Sequence, residues 1–360
     1  MTAPGAAASP LDAEDLRVRV QKRLDDFLAA QVPVLDEVSP DLAPLSDALV
    51  DLLRGGKRLR PAFAYWGWRG AGGADCEEAV TAATSLELLQ ACALIHDDVM
   101  DGSDTRRGIP AAHRRFATLH RGNGWLGSSE RFGTGAAILL GDLCLSWADE
   151  LLMSCGLPPS TLLRGKPVYD VMRTELMAGQ YLDLLEQAMG GGSVARAMRV
   201  VRFKAAKYTI ERPLHLGAAL AGAPAELVDA YSGYGLPLGE AFQLRDDVLG
   251  VFGDPAETGK PAGDDLREGK RTVLVATAEE AATPAQSAVL RSRLGDPSLD
   301  ADGVARLREI IVDTGALRHV ETLIDGLTTT ALAALEASAV EGTARGVLHD
   351  LAVAATSRSV

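Results

Sequence analysis

A chain of 360 residues that is 47% apolar but only 5% aromatic, with Ala and Leu abundant, has the material for a large core built from helices. It has too few Trp and Tyr for most β-sandwich or barrel architectures. The formal net charge of −13 argues against nucleic acid as a partner, because such binding is dominated by Lys and Arg on phosphate.

The first 14 residues are rich in Ala, Pro and Ser, with neither a basic start nor a long apolar stretch, and are expected to form a disordered tail rather than a signal peptide. Residues 15–360 are expected to form one all-α domain, since no Pro/Gly/Ser linker divides them. Leu16, Val20, Leu24 and Leu28 recur at helical period. Gly55-Gly56 then breaks the chain before Lys57-Arg58-Leu59-Arg60-Pro61, placing three cations at the start of the next helix. Lys57 and Arg60 are i and i+3, so both can reach one anion, and the helix N-terminus adds a favourable dipole. Alone, such a cluster is more often a solvated surface.

Val80, Ala83 and Leu86 to Leu89 continue into Leu94 as a further helix ending in His96-Asp97-Asp98-Val99-Met100-Asp101. Asp97 and Asp101 are i and i+4, pointing roughly the same way and about 6 Å apart along the axis. Two carboxylates so placed repel unless a cation sits between them. Few hard oxygen ligands, with positions left for phosphate and water, suit Mg²⁺. Arg106 and Arg107 follow within about two turns, where each can take phosphate oxygens bidentately or simply neutralise the acids.

Leu139, Leu143, Leu145 and Leu151 mark another long helix. The most apolar stretch, 135–148, is interrupted by Asp142, so no transmembrane span is indicated. Pro213 is expected to kink or break the helical pattern of 194–221. A second pair, Asp246-Asp247, closes another apolar stretch, and the two pairs end comparable helices that could face each other across a cavity. Beyond it lie Gly259-Lys260-Pro261 and Gly269-Lys270-Arg271, mixed with Asp264, Asp265 and Glu268: a lid over a site, or a plain solvated loop. The breakers imply around ten to thirteen helices in an all-α bundle, without strands. Cys76, Cys92, Cys144 and Cys155 form no CxxC or zinc-type spacing and read as reduced, mostly buried thiols of a cytosolic protein.

Taken together, residues 55–61, 96–101 with 103–108, 179–183, 242–247 and the two Gly-Lys segments resemble the trans-isoprenyl diphosphate synthases of the polyprenyl synthetase family. The resemblance spans about residues 45 to 275 and looks most like the geranylgeranyl diphosphate synthases of actinobacteria. It implies a cytoplasmic all-α homodimer of the isoprenoid synthase fold, with a deep cavity in each subunit, that joins isopentenyl diphosphate head to tail to an allylic diphosphate. By the same resemblance Asp97 and Asp101 would ligate two Mg²⁺ ions and Asp246 a third, Mn²⁺ being the alternative, with Asp98 and Asp247 in close support. Lys57, Arg60 and Arg107 would bind isopentenyl diphosphate, with Gln90 where many members carry His. Arg106, Lys204, Lys260 and Lys270 would hold the allylic diphosphate, and Gln180, Asp183 and Gln243 would line the site. Two departures stand out. Gly250 replaces a third Asp of the second motif. Ala205 follows Lys204 where Thr is usual, and one inserted residue is needed to reach the next Gly, which makes Lys207 a rival to Lys204.

The reaction so implied breaks a carbon–oxygen bond to give an allylic cation and diphosphate. Metal ions with Arg106, Lys204 and Lys260 would stabilise the departing charge, and the released diphosphate can accept the final proton, leaving His96 structural. Product length is read from the helix before Asp97. Cys92 and Ala93 are small and Leu89 and Leu86 moderately bulky, so at about 5.4 Å per turn the stop falls near twenty carbons, that is, geranylgeranyl diphosphate. Farnesyl or longer products are the alternatives. A class I terpene cyclase would have no need of Lys57 to Arg60, and a non-catalytic regulatory subunit would be expected to have lost the Asp motifs.

Overall fold

The structure, a computed structural model, describes residues 9–190, 192–254, 263–296 and 298–356. Among these residues the chain is almost wholly helical, as its composition predicts, and it divides into two compact units. One takes the described residues of 1–65 and 74–162, the other those of 66–73 and 163–360.

The first unit holds α1 (Leu16–Val38), α2 (Ala43–Leu53), the start of α3 (Leu59–Gly70), α4 (Glu77–Asp101), α5 (Ala112–Gly122) and α6 (Ser129–Met153). The stripe Leu16, Val20, Leu24 and Leu28 is buried, so its period did mark the core face of α1. Part of the expected tail is ordered: Pro10–Asp15 forms a 3₁₀ turn with Leu11 buried, and Tyr65 donates its hydroxyl to Glu14 and, at 2.8 Å, to Asp75. Helix α4 is buried almost all round, as a central helix must be when apolar residues occupy every face. It, rather than 135–148, is long and apolar enough to cross a membrane, but 72% of that window is buried within the protein, the mark of a core helix. Small residues let α6 approach closely. A Cβ on Gly133 would lie 2.2 Å from the His113 carbonyl oxygen, and one on Gly141 would lie 2.1 Å from His96 Nε2. Two-residue strands β1 (Thr105–Arg106) and β2 (Ile109–Pro110) pair antiparallel, where no strand was expected.

The second unit holds most of α7 (Pro159–Met189), then α8 (Val194–Val200), a π-helical stretch Val201–Glu211, α9 (Arg212–Ala221) and α10 (Ala225–Phe252). It continues with α11 (Asp264–Glu268), α12 (Val273–Ala281), α13 (Pro284–Arg293), α14 (Ala301–Asp313), α15 (Ala316–Glu336) and α16 (Gly342–Thr356). There are more helices than expected because short pieces complete the C-terminal third around a core that includes Leu244, Val248, Leu274, Leu307, Ile310 and Val320. Pro213 does not break its helix. The preceding eleven residues widen to i→i+5 bonding, which moves the carbonyl four residues back away from the proline ring, and Pro213 stands in the first turn of α9. Close contacts seat the π stretch: a Cβ on Gly179 of α7 would meet Lys204 N at 2.4 Å, and one on Gly239 of α10 would meet Ala206 Cα at 2.6 Å.

Candidate active site

In the first unit the acidic motif forms the last turn of α4, stopped by Gly102 in the left-handed conformation. Asp97 and Asp101 are half-buried at i and i+4, while Asp98 between them is buried and bound by Arg106, whose Nε donates at 2.9 Å. Arg106 Nη2 also lies 3.5 Å from Asp97. Burial pushes the Asp98 carboxyl above its ordinary value and Arg106 opposes this. Arg106 is placed by the hairpin, whose two-residue loop, Arg107-Gly108, has φ of +53° and +77° at its two positions.

The Gly55-Gly56 segment meets this hairpin within the same unit. The Arg107 guanidinium lies over Gly56, where a Cβ would be 3.3 Å from both terminal nitrogens, and donates to the Leu52 carbonyl at 2.9 Å. Partial desolvation and the charges of Arg58, Arg106 and Arg60 hold Arg107 below the usual arginine range, with Glu87 opposing. Lys57 is exposed and Arg60 half-buried at the N-terminus of α3. The structure thus brings Arg60, Arg106 and Arg107 into one cationic neighbourhood beside the α4 carboxylates, with Lys57 next in the chain to the Gly56 that Arg107 covers.

Arg58 belongs to that run but does something else. It is 3% exposed, sits at φ +56°, and donates to Glu87, to Gln21 Oε1 at 2.6 Å and to the Leu53 carbonyl. It is the strut on which the flanking cations are mounted. A sequence signal existed in Glu87, an acid inside the apolar run of α4 that had to have a partner.

Gln90 lies seven residues before Asp97, on the same face of α4, with its side-chain oxygen buried and without a hydrogen-bond partner. Leu86, Leu89 and Cys92 are fully buried, whereas Ala93 is half-buried. Cys92 Sγ is 3.7 Å from His96 Nδ1, and burial, with Asp142 adding, pushes its thiol up to about 12. His96 Nε2 is 3.1 Å from the Ile138 carbonyl, an obligate acceptor, so Nε2 carries the proton and the ring ties α4 to α6. All four cysteines are free, and Cys92, Cys144 and Cys155 are buried.

In the second unit Gly179 lets α7 lie against the π stretch, and Asp183, one turn on, accepts from Lys204 Nζ at 2.6 Å. Lys207 is committed elsewhere, 3.0 Å from Glu175, which Arg212 also grips with bonds of 2.7 and 2.8 Å. Burial acts to raise Glu175, but Arg212 and Lys207 overcome it and hold the carboxyl low. Gln180 is half-buried on the same turn of α7. Of the two lysines, Lys204 therefore keeps company with the motif residues and Lys207 with a structural network.

The second acidic motif lies near the end of α10. Asp246 is half-buried and Asp247 7% exposed, with Gln243 Nε2 donating to Asp247 Oδ1 at 2.8 Å. Lys270 Nζ lies 3.4 Å from Asp265 and 2.9 Å from Glu268. Lys260 and its neighbours lie outside the described residues. Burial pushes the Asp247 carboxyl up to about 8; Gln243 and Lys270 lower it, and Asp265 and Asp246 raise it. Because the folded value exceeds that of an ordinary aspartate, this group's contribution to stability is complete below the unfolded value and is lost as pH rises through about 8. Metal-free protein is therefore expected to lose thermal stability as pH is raised across that value. Asp247→Asn, which cannot ionise, should lose less, as thermal unfolding at stepped pH will show.

This helical chain is similar to a known group of proteins. The polyprenyl synthetase family model covers residues 43–311. A geranylfarnesyl diphosphate synthase of Aeropyrum pernix is 35% identical over 79% of this chain and 84% of its own length, and a geranylgeranyl diphosphate synthase of Saccharolobus solfataricus is 31% identical over 81% and 80%. The crystal structure of a geranylgeranyl pyrophosphate synthase from Corynebacterium glutamicum, complexed with isoprenyl diphosphate and magnesium, superposes with a TM-score of 0.91. It is 44% identical and covers 94% of this chain and 98% of that one. The chain belongs to the polyprenyl synthetase family and is a trans-prenyltransferase.

Proposed function

We propose that this enzyme condenses isopentenyl diphosphate with an allylic diphosphate, using magnesium, to give geranylgeranyl diphosphate. The observation that carries the reading is the end of α4, where Asp97 and Asp101 share a face while buried Asp98 fixes Arg106 beside them. The donor set fits a hard cation. Among the described residues no three His, Cys, Asp or Glu side chains converge into an all-protein cage, so most coordination positions fall to phosphate oxygens and water, as Mg²⁺ prefers.

Asp97 and Asp101 would hold two ions and Asp246 a third. When bound, these ions neutralise the diphosphate as its bond to the allylic carbon breaks. Arg106, held by Asp98, and Lys204, held by Asp183, would each donate to departing diphosphate oxygens, so that little reorganisation is needed as charge develops. Lys260 and Lys270 join them. Lys57, Arg60 and Arg107 bind the second diphosphate, with Gln90 beside it, and Gln180, Gln243 and Asp247 complete the polar lining. The isopentenyl double bond attacks the cation, and the released diphosphate takes the proton.

Ala93 is the position on α4 open to the growing chain, because Cys92 is buried beside His96. Ala93→Phe is expected to shorten the longest product by at least one five-carbon unit. Cys92→Phe would instead overpack the core and cost about 1–3 kcal/mol of stability. The deciding experiment incubates the purified chain with isopentenyl diphosphate and each of the five-, ten- and fifteen-carbon primers, with Mg²⁺, Mn²⁺ or a chelator, and sizes the products. Twenty-carbon product that disappears with the chelator is expected; a cyclised hydrocarbon, or no turnover, would reject the proposal. We further propose a cytoplasmic homodimer, supported by free cysteines and by Phe132, Ile138 and Leu139 of α6, which are 39%, 43% and 65% exposed in the single chain.

A further inference from the structure

Gly250 stands one turn beyond Asp246 in α10, where the resemblance to the family implies a third Asp. Glycine inside a helix is unfavourable unless something requires the missing side chain. Here something does. A Cβ on Gly250 would lie 1.9 Å from Asp265 Oδ2 and 2.6 Å from its Cγ, inside any possible contact. The space in which a side chain at 250 would begin is filled by a carboxylate from α11.

Asp265 is not a loose tip that happens to fall there. It is 9% exposed, lies in the first turn of α11, and its backbone carbonyl accepts from Lys270 N at 3.0 Å where that helix ends. Its Oδ1 lies 3.4 Å from Lys270 Nζ, which also reaches Glu268 at 2.9 Å.

We propose that Gly250 is a seat kept clear for Asp265, and that Asp265, so seated, is a positioning residue that sets Lys270 beside the end of α10 and puts a carboxylate where the motif itself carries none. Its effect on turnover rests on the function proposed above; the seat itself does not. Restoring an Asp at position 250 should therefore harm the enzyme.

The test is a double-mutant cycle on the full chain with Gly250→Ala, Asp265→Ala and the pair. In metal-free protein Gly250→Ala should lower the melting temperature of the wild type. In the Asp265→Ala background it should raise it, because Ala is then simply the better helix former. In turnover assays each single variant should raise the Mg²⁺ concentration for half-maximal rate by about tenfold, and the pair should be no worse than either alone. Gly250→Asp should slow the wild type and recover part of the loss in Asp265→Ala. A change of melting temperature with the same sign in both backgrounds overturns the seat, and an unchanged Mg²⁺ requirement in both single variants overturns the positioning role. If the sign reversal holds but the wild type makes no prenyl diphosphate, the seat stands and the proposed function falls.

Discussion

Asp97→Asn should lower turnover by about 10²–10³-fold, and Asp246→Asn by a similar factor, since on the function proposed above each removes one carboxylate that would hold a metal ion against the departing diphosphate. Both substitutions keep the side chain's size and its capacity to hydrogen-bond, so the fold should survive with an unchanged melting temperature. The loss should appear in kcat, while KM for isopentenyl diphosphate changes little, because Lys57, Arg60 and Arg107, and not these carboxylates, are the residues proposed to bind that substrate. Steady-state kinetics with Mg²⁺ varied against a fixed allylic primer separates the two parameters. Unchanged kcat in either variant would remove that residue from the metal set.

The largest effect on stability is expected at Glu87. Glu87→Ala leaves Arg58, 3% exposed, as a buried cation deprived of its carboxylate, and breaking such a pair costs about 3–5 kcal/mol. Gln21 and the Leu53 carbonyl still accept from Arg58 but carry no compensating charge. Replacing both members, Arg58→Met with Glu87→Met, should recover much of that loss, since no charge is then stranded. Denaturant unfolding of the two variants provides the comparison. Because Arg58 anchors the segment carrying Lys57 and Arg60, the doubly substituted protein should still show a raised KM for isopentenyl diphosphate, a signature that a purely structural role would not produce.

What could be read from the sequence was the chemistry carried by local spacing. Asp97 and Asp101 are one turn apart in any helix, so their shared face follows from numbering alone, as does the buried stripe of α1. The close packing at Gly179 gives a physical reason for the segment around Asp183. What could not be read depends on residues distant in the chain. Arg58 looks like its neighbours until Glu87 is seen opposite it. Gly250 looks like a deletion until Asp265 is found in its place. Lys204 and Lys207 are indistinguishable until Asp183 and the Glu175–Arg212 pair are seen to divide them. Pro213 does not stop the helical run because the preceding turns widen, which local rules do not foresee. The tail misled from the other direction: its composition is that of disorder, but Leu11 finds a buried place and residues 10–15 follow it.

The stretch Val201–Glu211 also bears on how this helix tolerates changes in length. In an α-helix each inserted residue rotates everything beyond it by about 100°, since one turn takes 3.6 residues. A stretch bonded i→i+5 absorbs the surplus instead, so Lys204 can face Asp183 while the side chains of α9 still meet their own partners. Removing Ala205 is expected to tighten that coil and weaken the pairing of Lys204 with Asp183, so the wide turns act as a spacer that keeps one charge aimed.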